Sequence, residues 1–251
     1  MGETDANAKY VYGVVRASTA KAVDARGIDD RPVEVVSLDE VGALTSEVPD
    51  GDLEAGRDEL LAHSRALEGA FESGVVLPMR FGIVMDGDDA VRERLLEPHR
   101  EELAAQLDEL DGKVEVNIKG IYDEAAILRE VVTEERDIAK LRELISGKPE
   151  DATYPERIQL GELISAALER KRESDSVAIV DRLAEHATAI DEGAPVHERM
   201  AVSCSFLVER ERLEEFDRTL DALAEEQGGR IRFKYTGPLP PHSFVELSLE
   251  G

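Results

Sequence analysis

The side chains best suited to catalysis or metal binding are few in this chain and stand far apart. The five histidines are His63, His99, His186, His197 and His242. No two of them are spaced like the histidine ligands of a metal site that also contains a cysteine. Cys204 is the only cysteine and alternates with Val202 and Phe206. This alternation predicts a small buried core residue and not an activated nucleophile.

One acidic stretch superficially resembles a calcium-binding loop. Asp86, Asp88 and Glu97 match positions 1, 3 and 12 of such a loop. Ala90 and Val91 then occupy the positions of a ligand and of the obligatory turn glycine, which excludes the site. The phosphate-loop, dinucleotide, zincin and nucleophile-elbow motifs are also missing from the sequence. The sequence therefore predicts neither an enzyme nor a cofactor.

The charge balance narrows the choice of partners. Among 251 residues, 56 are Asp or Glu and 30 are Lys or Arg, which gives a net charge of −26. Such a molecule is a poor ligand for nucleic acid or anionic membranes, because both are bound through concentrated cations. Only 8 of the 30 cations are lysine. This excess of acid predicts a halophilic source, where salt screens self-repulsion; an ordinary acidic cytosolic protein is the alternative.

The remaining composition describes a folded protein of a reducing compartment. Hydrophobic residues make up 42% of the chain, too many for an acidic disordered tail. A single cysteine cannot form an intramolecular disulfide. Residues 1–9 are polar, and no apolar run approaches the ~18 residues that span a bilayer. We therefore expect a cytoplasmic protein without a membrane partner.

Hydrophobic periodicity predicts an N-terminal α+β domain over residues 1–112, with its boundary at Gly112. Its predicted elements are strands at Tyr10–Val15, Val33–Leu38 and Val41–Val48, a helix at about 53–72, a strand at Val75–Met85 interrupted by Pro78, and helical residues between Val91 and Leu110 in which Pro98 causes a kink or starts a second helix.

The same periodicity predicts a second domain over residues 113–251, with a modified ferredoxin-like antiparallel sheet and extra helices. Its predicted elements are a strand at 114–122, a helix at 124–145, helical patterns between Leu160 and Ile190, a strand at 200–208, a helix at 213–223, and strands at 231–235 and 244–249. The fold class is α+β.

Three segments go beyond a generic pattern: Tyr10-Val11-Tyr12-Gly13; His63 followed by the run from Gly74 through Pro78-Met79-Arg80-Phe81-Gly82; and Thr236-Gly237-Pro238-Leu239-Pro240-Pro241-His242-Ser243-Phe244. In this order they resemble the gas vesicle protein F/L family over nearly the whole chain. The family usually has an aromatic residue at position 239 and tyrosine at position 242.

The resemblance implies an accessory or minor structural protein of gas vesicle assembly, without enzymatic activity. Its implied partners are the small hydrophobic gas vesicle shell protein and other gas vesicle accessory proteins. A small-molecule-binding, ferredoxin-like regulatory protein or an unrecognised enzyme is the alternative. A pocket with converging polar groups would favour that alternative, and a flat apolar edge with acidic surroundings would favour the assembly role.

Two surfaces are predicted to bind a partner. The first combines three cations of a strand with the proline-rich segment that follows; its residues are Arg230, Arg232, Lys234, Leu239, Pro240, Pro241 and Phe244. A solvated strand face explains the same cations. The second is the edge around Pro78, Arg80 and Phe81, for which a bulged edge strand is the structural explanation.

Overall fold

The computed structural model describes residues 8–21, 25–49 and 56–246. The chain forms two compact units: unit 1 contains the residues up to Glu115 and those from Gly237 on, and unit 2 runs from Val116 to Thr236. The predicted domains, 1–112 and 113–251, therefore differ from these units chiefly at the C-terminal end, where the chain returns to unit 1.

Unit 1 contains a mainly antiparallel sheet in the order β2-β3-β1-β4, with β5 also paired to β1. The strands are β1 (Ala8–Arg16), β2 (Glu34–Leu38), β3 (Val41–Val48), β4 (Val76–Pro78) and β5 (Val84–Met85), with 3₁₀ turns at Ala17–Lys21 and Ile28–Asp30. Strand β1 lies inside the sheet and is buried almost along its whole length. It is the strand around which the motifs of unit 1 assemble.

The helices of unit 1 are α1 (Arg57–Ser73), α2 (Gly87–Ala90) and α3 (Glu97–Leu110), with a π-helical stretch at Val91–Leu96. The apolar stripe of α1 is buried and includes Ala66, Leu67 and Phe71. Pro98 lies in the first turn of α3, directly after the π-helical stretch, and the backbone stays helical at Leu96 and Glu97. Pro98 therefore accompanies a change of helix type within one continuous helical segment.

Unit 2 has the ferredoxin-like order β-α-β-β-α-β, with extra helices after its first strand. Its sheet order is β7-β8-β6-β9. The elements are β6 (Lys113–Tyr122), α4 (Glu124–Glu134), α5 (Arg136–Ile145), α6 (Tyr154–Ala184), β7 (Ala189–Glu192), β8 (Met200–Glu209), α7 (Leu213–Gln227) and β9 (Ile231–Leu239), with 3₁₀ turns at Asp151–Thr153 and Arg210–Arg212.

The structure corrects three predicted elements. The single helix at 124–145 is two helices, because Glu135 has extended backbone angles. Ile190 belongs to β7, where it pairs with Phe206, and not to a helix. The predicted strand from Phe244 is wrong at its start, since His242–Phe244 is a 3₁₀ turn, and residues 247–249 lie outside the described residues.

Candidate partner-binding site

Four aromatic rings from distant parts of the sequence meet inside unit 1. Tyr10 and Tyr12 come from β1, His63 from α1, and Phe81 from the connection between β4 and β5. Their ring centroids lie 4.8 Å apart for Tyr10 and Tyr12, 5.7 Å for Tyr10 and Phe81, and 5.8 Å for His63 and Phe81. The cluster thus joins two of the three segments that carry the resemblance.

Strand β1 is irregular at Tyr12, the second of these two tyrosines. The pairing of β1 with β3 shifts register between Val11 and Gly13, which is the signature of a β-bulge. The hydroxyl of Tyr12 lies 2.7 Å from Oγ of Ser46 and accepts a hydrogen bond from the backbone N–H of Ile28 at 2.8 Å. The buried hydroxyl of Tyr12 therefore has two hydrogen-bond partners within the core.

The connection between β4 and β5, residues 79–83, is held to this cluster by its backbone; we call it the Arg80 loop. The N–H of Met79 donates to the carbonyl of Tyr12, and the carbonyl of Ile83 accepts from the N–H of Val11, both at 2.9 Å. The N–H of Gly82 donates to the hydroxyl of Tyr10 at 3.1 Å. These bonds fix the loop at both ends.

The acid–base groups of the cluster are neutral at ordinary pH. Burial lowers the pKa of His63 to about 4, although a hydrogen bond to the Met79 backbone opposes the shift. Burial raises the pKa of Tyr10 to about 12. The Nδ1 atom of neutral His63 can accept a hydrogen bond from the hydroxyl of Tyr10, 2.9 Å away. The arrangement positions the loop and offers no proton donor or acceptor to solvent.

The three residues predicted at this edge differ in exposure. Pro78 is buried as the last residue of β4, Phe81 is half-buried in the cluster, and Arg80 is exposed. Apolar side chains are also exposed on the neighbouring elements: Val84 of β5 is 38% exposed, and Leu60 and Leu61 of α1 are 46% and 48% exposed. The Arg80 loop thus presents an exposed cation and half-buried Phe81 on a support that backbone hydrogen bonds hold to β1.

The proline-rich segment is mostly a structural part of unit 1. Pro240 and Pro241 are buried, and Leu239 and Phe244 are half-buried. The segment is anchored where Ser243 donates its N–H and its hydroxyl to the Glu115 carboxylate, at 2.7 and 2.9 Å. The predicted presentation of Leu239 to a partner is therefore limited to part of its side chain.

Arg230 is not an exposed cation of a strand face, contrary to the sequence-based expectation. It precedes β9 and donates to Glu130 and Asp175, with its guanidinium 5.4 Å from the ring centroid of Tyr122. Lys171 also binds Glu130, at 2.5 Å. The hydrogen bond from Arg230 lowers the pKa of Glu130. Arg230 therefore joins β9 to α4 and α6 as an internal ion-pair centre.

The other two predicted cations, Arg232 and Lys234, are exposed on β9. They belong to unit 2, whereas Leu239 and Phe244 belong to unit 1. The predicted corner is thus distributed over the two units. Sequence reasoning also missed Lys119 of β6, which lines the same shallow depression as Lys234. Its alternation with Ile118 and Gly120 was the signal that could have placed it on the exposed face.

Within residues 8–21, 25–49 and 56–246, no group of three His, Cys, Asp or Glu side chains could hold a metal ion. A cavity of about 640 Å³ in unit 2 is lined by Ile127, Leu128 and Leu168. Two of its polar groups are already engaged: the Tyr122 hydroxyl donates to Asp175, and Glu124 pairs with Arg199.

Comparison with known proteins agrees with these motifs. Residues 8–246 match the family described as gas vesicle synthesis protein GvpL/GvpF. Gas vesicle protein F of Streptomyces sp. (strain CB03234) is 36% identical over 94% of this chain and 99% of its own length. Gas vesicle protein F of Dolichospermum flosaquae is 29% identical over 95% and 97%. The crystal structure of GvpF from Anabaena sp. PCC7120 superposes with a TM-score of 0.84, at 27% identity, over 96% and 99% of the two chains.

The chain belongs to the GvpL/GvpF family of gas vesicle synthesis proteins, and this membership supports an accessory role in gas vesicle formation. The two relatives above come from Streptomyces and a cyanobacterium, so the comparisons do not support the halophilic source inferred from charge. None of the helices in the described part of the chain is long and apolar enough to cross a membrane.

Proposed function

We propose that this protein is a non-enzymatic, cytoplasmic assembly factor that binds the hydrophobic shell protein of the gas vesicle, and other accessory proteins, while the vesicle forms. In this role it stays associated with the gas vesicle. Its own acidity keeps the complex in solution, because a large net charge opposes aggregation. The shell protein contributes apolar segments that require such a partner before they assemble.

The rigid Arg80 loop is the single observation that carries this proposal. A binding surface gains affinity when its backbone is already ordered, because less conformational entropy is lost on association. The Arg80 loop is fixed by Tyr10 and Tyr12, and it leaves the sheet between two short strands. Exposed Arg80 and half-buried Phe81 then supply a cation and an apolar contact to the partner.

The proposal is tested by shell-protein binding to three single variants. Arg80→Glu and Phe81→Ala are expected to weaken binding in a pull-down with purified shell protein by about tenfold, since each removes a contact near the centre of the surface. Arg94→Glu is the matched control, because Arg94 is also an exposed arginine of unit 1. Circular dichroism reports whether each variant is folded. Equal binding by folded Arg80→Glu, Phe81→Ala and wild type would contradict the proposal.

A further inference from the structure

The outer face of the unit 2 sheet carries an unusual group of polar and cationic side chains. Helices α6 and α7 contact β8, and apolar residues of the sheet such as Phe206 and Ile231 are buried. The remaining polar side chains surround a shallow depression of about 330 Å³, which we call the Lys119 depression. Its polar lining residues are Asn117, Lys119, Asp191, Ser203, Ser205, Lys234 and Thr236, and Asp191 is the one acidic residue among them.

Lys119 and Lys234 lie on neighbouring strands, β6 and β9, and both are exposed. Arg232 precedes Lys234 by two residues and so lies on the same face of β9. In the described part of the chain none of these three cations forms an ion pair. Three cations without an ion pair on one sheet face stand out in a chain that has 26 excess negative charges.

Protection of a sheet edge explains only part of this arrangement. Cations on an edge strand discourage pairing with other chains, and β9 is such a strand, which accounts for Arg232 and Lys234. Strand β6, however, lies between β8 and β9. Lys119 thus points from an interior strand, where no edge needs protection. Solubility does not require it either, because the net charge is already large.

We propose that the Lys119 depression binds a short acidic segment of another protein. Charge complementarity selects the occupant: carboxylates can pair with Lys119 and Lys234, and the hydroxyls of Ser203 and Thr236 can donate to them. The surrounding negative charge repels acidic partners that do not reach the depression, which gives specificity. Nucleic acid fits less well, because no aromatic side chain lines the depression for base stacking. This site is independent of shell-protein binding by unit 1.

The test measures the binding of a fluorescently labelled hexaglutamate peptide by anisotropy at low salt. Lys119→Glu combined with Lys234→Glu is expected to weaken binding at least tenfold, since two exposed ion pairs are replaced by repulsion. The matched control is Lys140→Glu combined with Lys148→Glu, which reverses two exposed lysines of unit 2 with the same change in net charge. Circular dichroism verifies folding. Equal binding by all three proteins, or equal loss in both variants, would overturn the proposal.

Competition and sedimentation identify other occupants. Inorganic phosphate or an oligothymidylate that displaces the peptide more effectively than unlabelled hexaglutamate would overturn the proposal in favour of a small anion or nucleic acid. A concentration-dependent dimer that is lost in the Lys119→Glu, Lys234→Glu protein would overturn it in favour of a second copy of this chain. Displacement by unlabelled peptide alone, with a monomer at all concentrations, supports an acidic segment of a different protein.

Discussion

The hydroxyl of Tyr10 lies 2.9 Å from Nδ1 of His63, a contact across 53 positions of the sequence. The same hydroxyl accepts the N–H of Gly82 at 3.1 Å. One oxygen atom therefore connects β1, α1 and the Arg80 loop. The position of the loop depends on this oxygen as much as on the residues of the loop itself.

Tyr10→Phe is expected to lower the free energy of unfolding by about 1–3 kcal/mol, because it leaves the buried imidazole nitrogen of His63 and the part-buried N–H of Gly82 without this partner. Urea denaturation measures the loss. Tyr154→Phe is the matched control, because Tyr154 is 66% exposed and its hydroxyl can bind water. A loss of the same size in both variants would contradict this role of Tyr10.

The buried imidazole of His63 predicts a pH dependence of stability. Its pKa is about 4 in the folded protein, below the ordinary value of 6.5. The unfolded state therefore binds the proton more readily between these values. The contribution is fully present above about pH 6.5 and is lost as pH falls towards 4, by about 3 kcal/mol in total. Carboxylates also change charge towards the acid end of this range. The contribution of His63 is therefore isolated by the difference in free energy of unfolding between wild type and His63→Gln, measured by urea denaturation from pH 4 to 7. Parallel pH profiles would refute it.

Arg230 and Arg232 test the finding that Arg230 forms ion pairs inside unit 2 whereas Arg232 is exposed. Arg230→Met is expected to destabilise unit 2 by roughly 2–3 kcal/mol, because Asp175 loses its cation and Glu130 keeps only Lys171. Arg232→Met, at an exposed position two residues away, is expected to change stability by less than about 0.5 kcal/mol. Thermal or urea denaturation compares them. A larger loss of stability in Arg232→Met than in Arg230→Met would instead favour the prediction that Arg230 is an exposed cation of the strand face.

Cys204 is expected to be unreactive in the native protein. It is buried, and burial raises the pKa of its thiol to about 12, so little thiolate exists at pH 8. Ellman's reagent should react slowly with the native protein and rapidly after addition of guanidinium chloride. Fast, stoichiometric reaction in the native state would indicate an accessible thiolate and a chemical role.

Salt is expected to stabilise the protein through screening of its net charge of −26. The urea midpoint should rise as KCl is increased from about 0.05 to 1 M, at which the screening length falls to about 3 Å. Potassium nitrate should give a similar rise, because screening depends on ionic strength and not on the anion. An unchanged midpoint would contradict the expected self-repulsion of the folded chain.

The sequence predicts the strands of this fold better than the ends of its helices. Alternation placed Cys204 on the apolar face of β8, which its burial confirms. The same reasoning failed for Arg230, because an alternating pattern does not reveal that Glu130 and Asp175, from two distant helices, pair with its guanidinium. Strand β7 was missed because its four residues are mostly exposed and gain their structure from pairing with β8.

The candidate site was predictable as a set of motifs but not as a geometry. Pro78, Arg80 and Phe81 were recognised from their sequence, yet only the fold places Phe81 against His63 and Tyr10. The partners of these rings lie tens of residues apart, and spacing along the chain carries no signal for such contacts. Lys119 was overlooked for the same reason, since its neighbour Lys234 comes from another strand.

The bond between Glu115 and Ser243 has a consequence for synthesis of the protein. Glu115 is 1% exposed, and the residue that satisfies its carboxylate is made 128 positions later. All of unit 2 therefore leaves the ribosome before unit 1 can close around this buried charge. A carboxylate without its partner resists burial, so unit 1 completes its folding only after unit 2 has been made. The order of translation thus delays the mature surface of unit 1 until the segment around Ser243 has been synthesised.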